Sequence, residues 1–90
     1  MTKNPKPELY DVVMVHWRDA YSEAPWTDVP VGLTLVKTVG FYNGFHKDES
    51  GEYLSVYGSK DERGGNISDV SAIPAGCIVK IRVLEKAPND

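Results

Sequence analysis

The sequence predicts an all-β domain, a small five-stranded SH3-like barrel with one short 3-10 turn, and three observations carry that expectation. Apolar residues alternate with polar ones in several short segments, and nowhere do they keep a helical period for more than one turn. Turn-forming clusters punctuate those segments, among them Lys47-Asp48-Glu49-Ser50-Gly51-Glu52 and Pro74-Ala75-Gly76. Between Val31 and Tyr57 a long apolar-rich run, a polar turn and a returning run follow one another, with Gly40 in the middle of the first run. A glycine there lets one long strand bend and serve two halves of a small barrel. An OB-like barrel or a split sheet is the rival.

Residues 1–8 hold Pro5 and Pro7 among polar residues and read as a flexible lead-in. The single β-barrel domain is expected over 9–85, with 86–90 as a flexible tail. Its first strand runs from Leu9 to Arg18, with Val13, Val15 and Trp17 on one face and Tyr10, Val12, Met14, His16 and Arg18 on the other. Asp19 to Pro30 carries two prolines, three acids and no period, so it reads as a long loop in which Tyr21 and Trp26 act as anchors. In the central run Leu33, Leu35, Val39 and Phe41 share one face, and Thr34, Val36, Thr38 and Tyr42 the other. Gly44 marks a bulge or sharp bend. Tyr53 to Tyr57 returns, Gly58 to Asn66 is a polar loop, and Ile67 to Ile73 is a short strand. Cys77 to Leu84 closes the domain, with Val79, Ile81 and Val83 inward and Lys80 and Arg82 outward.

The totals narrow the function classes. Ninety residues give one core, without room for a cofactor domain beside a substrate domain. Thirteen acids against ten bases leave a net charge of −3, which disfavours a duplex-nucleic-acid binder. The lone Cys77 permits no internal disulfide, and a reducing compartment follows, with Cys77 read as a small buried hydrophobe. No run approaches the ~20 apolar residues of a membrane span, and MTKNPKPE lacks the apolar middle of a signal peptide. A cytoplasmic protein without a membrane partner is expected.

Catalytic patterns are missing. No G-x-S-x-G elbow is present, and no base stands at a suggestive spacing from a nucleophile. Two histidines and one cysteine are too few for a zinc site, and the acids of 48–52 lack the spacing of a calcium loop. Gly64-Gly65 opens no helix and is not a phosphate loop. The expectation is a non-enzyme with no cofactor and no metal. Binding is the remaining chemistry, and aromatics with basic neighbours are its natural carriers. Nine aromatic residues in ninety exceed what a barrel this small can bury. Arg18, Tyr21, Trp26, Tyr42, Phe45, His46 and Lys47 are the candidate binding residues. The aromatics have plainer alternatives: Trp26 as a lid on one end of the core, the tyrosines as core edges with hydroxyls in water.

The segments VHWRDA (Val15 to Ala20), Trp26, KTVGF (Lys37 to Phe41) and IPAGCIVKIRVL (Ile73 to Leu84) together resemble small uncharacterised proteins encoded by tailed bacteriophages. Those chains share a W-x-D-A opening, a second Trp, a central V-G strand and an I-P-x-x-x-I-x-x-I-x-x-L ending. Trp17, Asp19, Ala20, Trp26, Val39, Gly40, Ile73, Pro74, Ile78, Ile81 and Leu84 sit on that pattern, which covers nearly the whole chain. The resemblance implies phage origin and a compact β-fold, and it brings no activity. The ending also resembles the I-P-x-x-Y-V close of SH3 domains, but Cys77 and Ile78 stand near the place of that aromatic, which leaves a proline-peptide groove unsupported. The expected function is a non-catalytic binding module, a phage accessory protein acting on a host or defence protein in the host cytoplasm. An oligomeric barrel that sequesters a nucleotide or other small molecule is the alternative, and a virion component is a third reading.

Overall fold

The computed structural model describes residues 6–20 and 33–88. Five strands follow in chain order: β1 (Val12–Ala20), β2 (Leu33–Asp48), β3 (Gly51–Lys60), β4 (Ile67–Pro74) and β5 (Ile78–Glu85). A 3-10 turn over Ala75–Cys77 joins the last two. Every pairing is antiparallel, and the spatial order is β4-β3-β2-β1-β5. The all-β class, the five strands and the 3-10 turn are as expected. Barrel closure is looser. β4 and β5 form opposite edges of one sheet with no ladder between them, and the 3-10 turn that connects them packs on both β1 and β3.

β2 is the spine. Its first part, to Phe41, pairs with β1, and its second part, from Phe41, pairs with β3. The handover needs Gly40, because a Cβ there would stand 2.8 Å from the Tyr57 carbonyl oxygen. Farther along, the register slips between Tyr42 and Phe45, so that Asn43 and Gly44 together oppose Ser55. Gly44 takes φ +84° at this bulge, in the left-handed region that only glycine enters without strain.

Val13 and Val15 of β1, Leu54 and Val56 of β3 and Ile73 of β4 form the buried core. Trp17, Tyr42, Ile78, Ile81 and Val83 pack against it. Residues from both edge strands therefore meet in one core, which requires the sheet to curl upon itself. The Trp17 indole N–H donates to Thr38 Oγ1 at 2.9 Å, so its polar edge is satisfied where it is half-buried.

Four expectations need correction. The inward face of β2 is Val36, Thr38, Gly40 and Tyr42, whereas Leu35 and Val39 are 70% and 52% exposed. Register decides this: Gly40 lies opposite buried Val13, so its odd-numbered neighbours must point outward. In β5 the register shifts between His16 and Trp17, so Ile78 takes the inner place and Val79 turns out to solvent. Cys77 is half-buried rather than buried. The β2–β3 turn is also tighter than the sequence suggests: only Glu49 and Ser50 lie between the strands, with the Ser50 N–H on Asp48 Oδ1 at 2.8 Å. None of the helical structure among the described residues is long and apolar enough to cross a membrane.

Candidate functional site

Because side chains alternate across a strand, cross-strand partners share a face. Three rows cross the outer face of β2, β1 and β5. Val39, Met14 and Arg82 form the first; Lys37, His16 and Lys80 the second; Leu35 and Arg18 the third. Four cations and a histidine thus occupy one face of a chain whose net charge is −3. Lys86 is the only basic group that forms an ion pair among the described residues, so no described carboxylate stands in salt-bridge range of these cations. Lys37 and Lys80 each stand directly opposite His16, so a protonated His16 would lie between two like charges, an arrangement that costs stability.

His16 records the field. Burial lowers its pKa from the ordinary value, and the charges of Lys80, Lys37 and Arg82 lower it further. Its Nε2 is shielded from solvent and has no hydrogen-bond partner. The imidazole is therefore held neutral at pH 7, a flat half-buried ring between two lysines. The exposed apolar groups beside it, Leu35 and Val39, are aliphatic.

Of the seven residues singled out from sequence, the five that are described do not form one site. Tyr21 and Trp26 lie outside the described residues. Arg18 is exposed and belongs to the basic face, opposite Leu35. Phe45, His46 and Lys47 lie at the far end of β2, about 33–40 Å from Leu35 along the strand at ~3.3 Å per residue. Phe45 is 42% exposed and meets the Tyr42 ring edge-on at 6.4 Å. A ring nitrogen of His46 (Nε2) lies 2.9 Å from the Asn43 carbonyl oxygen and its ring tilts against Tyr53, so it closes over the bulge. Tyr42 is packed against the core, where burial raises its pKa. Sequence reasoning passes over Lys37, Lys80, Arg82 and His16 as a binding set. Their alternation is visible in the sequence; their adjacency needs the register.

A second construction sits above the same face, around Phe41. Asp11, fully buried, accepts from the N–H of Glu8 at 2.8 Å, from Lys86 Nζ at 2.9 Å and from the N–H of Ala87 at 2.7 Å. Burial alone would raise its carboxyl, but those bonds and the Lys86 charge outweigh it and hold the pKa at about 2. This clamp ties the segment before β1 to the segment after β5. Between them Tyr10 is fixed at φ +75°, its N–H on the Tyr42 carbonyl at 3.0 Å. Among the described residues no three His, Cys, Asp or Glu side chains converge in a way that could hold a metal ion.

Compared with family models, with curated proteins and with solved structures, the chain gave no match.

Proposed function

We propose that the protein is a non-catalytic binding module that docks an acidic surface of a partner protein on the outer face of β2, β1 and β5. The observation that carries this reading is the Lys37–His16–Lys80 row, flanked by Arg18 and Arg82 and opposed by no described carboxylate. Lysines on an edge strand can be explained as protection against edge-to-edge pairing. That account covers Lys80 and Arg82 on β5. It does not cover Arg18 and Lys37, which lie on central strands. Departures from local stability rules concentrate at functional sites, and uncompensated cations steer and orient an acidic partner.

The partner is a protein rather than a nucleic acid on this reading, because the apolar groups among the cations are Leu35, Val39 and Met14. Aliphatic side chains bury well against a protein but offer no ring on which a base could stack. The resemblance to tailed-phage proteins makes a host or defence protein the expected partner, with the host cytoplasm as the place of action.

The test compares the wild-type chain with a Lys37→Glu/Arg82→Glu variant, each first shown to have the same melting temperature. Both are used to capture proteins from host lysate, with mass spectrometry of what is retained. The reading expects a protein with an acidic surface, held by the wild type, released by salt and lost from the variant. Capture that is indifferent to the charge reversal refutes it. So does preferential retention of single-stranded nucleic acid or of anionic lipid vesicles.

A further inference from the structure

Next to the basic face, two residues along β2 from Val39, the Phe41 ring stacks on Tyr57 with centroids 5.2 Å apart and planes 22° from parallel. The Asp11 clamp ties down the segments that carry Tyr10 and Pro88, and both residues line the space beside this pair. A cleft of about 440 Å³ results, lined by Tyr10, Phe41, Tyr57, Lys60, Glu62 and Pro88, a volume within the ~300–1,000 Å³ of small-ligand sites.

Three features of this cleft are incomplete. The Tyr57 side chain is 1% exposed, yet its hydroxyl has no hydrogen-bond partner. Burial raises its pKa, with the nearby Tyr10 adding to the effect, so the group is a protonated donor without an acceptor. The Lys60 ammonium rests over the Tyr10 ring, 4.2 Å from its centroid, with no described carboxylate in salt-bridge range. It is a cation without an anion. Tyr10 is held in a left-handed conformation that a tyrosine adopts only under constraint. The fold spends strain to set an aromatic ring at the mouth of the cleft.

We infer that this cleft binds a nucleoside monophosphate. A planar base stacks on Tyr10 in place of the Lys60 ammonium, the freed ammonium pairs with the phosphate, and an acceptor atom on the base takes the Tyr57 hydroxyl once the groups that shield it from solvent have moved aside. Each incomplete feature is then satisfied by one ligand. A cationic ligand would have to displace a like charge from Tyr10 and would leave the hydroxyl donor unmet. A di- or triphosphate gains nothing further, because one ammonium serves the cleft and Glu62 at its edge repels additional negative charge. The site is separate from the basic face, so either can fail without the other.

The experiment is a titration of the full chain, followed by tyrosine fluorescence and by NMR, with AMP, GMP, UMP, ATP, adenosine, inorganic phosphate and a short single-stranded oligonucleotide. At least one monophosphate is expected to saturate below about 1 mM, more tightly than adenosine and no more weakly than ATP. Tyr10→Gly keeps the backbone conformation while removing the ring, and is expected to weaken binding at least about tenfold while the protein remains folded. Tyr57→Phe, which deletes the unpaired donor, is expected to leave the unliganded melting temperature unchanged or raised and to weaken binding about threefold to tenfold. A merely structural Tyr57 would give the opposite pair of results. The inference is overturned if no monophosphate saturates, if inorganic phosphate alone reproduces the shifts, if Tyr10→Gly binds as wild type, or if only the oligonucleotide binds.

Discussion

Replacing Asp11 by asparagine tests the clamp on which the chain ends depend. The carboxyl sits at about 2, against 3.8 for an ordinary aspartate. At ~1.4 kcal/mol per pH unit, that difference is about 2 kcal/mol of stability from the ionised form. The folded pKa is depressed, so the contribution is fully present above about pH 4 and is lost as pH falls toward 2. The substituted side chain could still accept from one donor, but its amide N–H₂ would face a donor and leave at least one buried N–H unpaired. Urea unfolding at pH 7 is therefore expected to show Asp11→Asn less stable by about 2 to 3 kcal/mol, a large share of the ~5–15 kcal/mol typical of a domain. The informative quantity is the gap between wild type and variant as pH falls. All other carboxylates are common to both proteins and cancel from it. The gap should narrow by about 2 kcal/mol between pH 5 and pH 2. A variant as stable as wild type at pH 7, or a gap that does not change with pH, would refute the account. Lys86→Met leaves both backbone donors on Asp11 and should cost less than Asp11→Asn.

Other perturbations follow from single contacts. Gly40→Ala drives a methyl toward the Tyr57 carbonyl at 2.8 Å and should cost about 1–3 kcal/mol in urea unfolding, whereas Gly76→Ala, with nothing within 4 Å, should be neutral or mildly stabilising. In an NMR titration His16 should protonate below the ordinary histidine range, and salt should move its midpoint upward by screening Lys80, Lys37 and Arg82; a midpoint at the ordinary value that ignores salt would show that the three cations do not act on the ring. Because the folded pKa is lowered, the unfolded chain takes the proton more readily, so His16 costs stability as pH falls through about 6.5. Val15→Ala, in the middle of the core, should cost about 2 kcal/mol or more.

The strand inventory is legible in the sequence because alternation and turn residues are local signals. The run Ile67 to Ile73 matches β4 to within one residue, and the glycines at 40 and 44 mark the bend and the bulge at the positions where the backbone needs them. Facing is harder. The central run has apolar residues on both sides, and which side is inner depends on pairing Gly40 with Val13, a long-range fact. The inward place of Ile78 depends on a register shift that no local pattern announces. For the same reason the basic face cannot be assembled from sequence: Lys37, His16 and Lys80 are far apart along the chain and adjacent only through two strand pairings. Tyr10 and Asp11 look like the start of a strand. Their roles arise from contacts with Tyr42, Lys86 and Ala87, all distant in sequence.

A buried carboxylate is a poor way to gain stability alone, since a well-packed apolar group of similar size often does as well. What an apolar group could not do is fix direction. Asp11 draws three donors from two ends of the chain onto one side chain, and its own carbonyl accepts from the Tyr42 N–H at 2.8 Å. With position 11 held in this way, Tyr10 has no freedom to leave its strained conformation, and Lys60 keeps a ring to rest on. Loss of the clamp should therefore release the cleft before it unfolds the sheet, whose core lies on the other face. In the wild type the protons next to the Lys60 ammonium lie over an aromatic ring and should resonate upfield of those of exposed lysines. In folded Asp11→Asn they should return to the exposed value while the Val13, Val15 and Leu54 methyl resonances stay in place. If the Lys60 shift survives the substitution, Tyr10 is held by something other than Asp11, and the carboxylate serves stability alone.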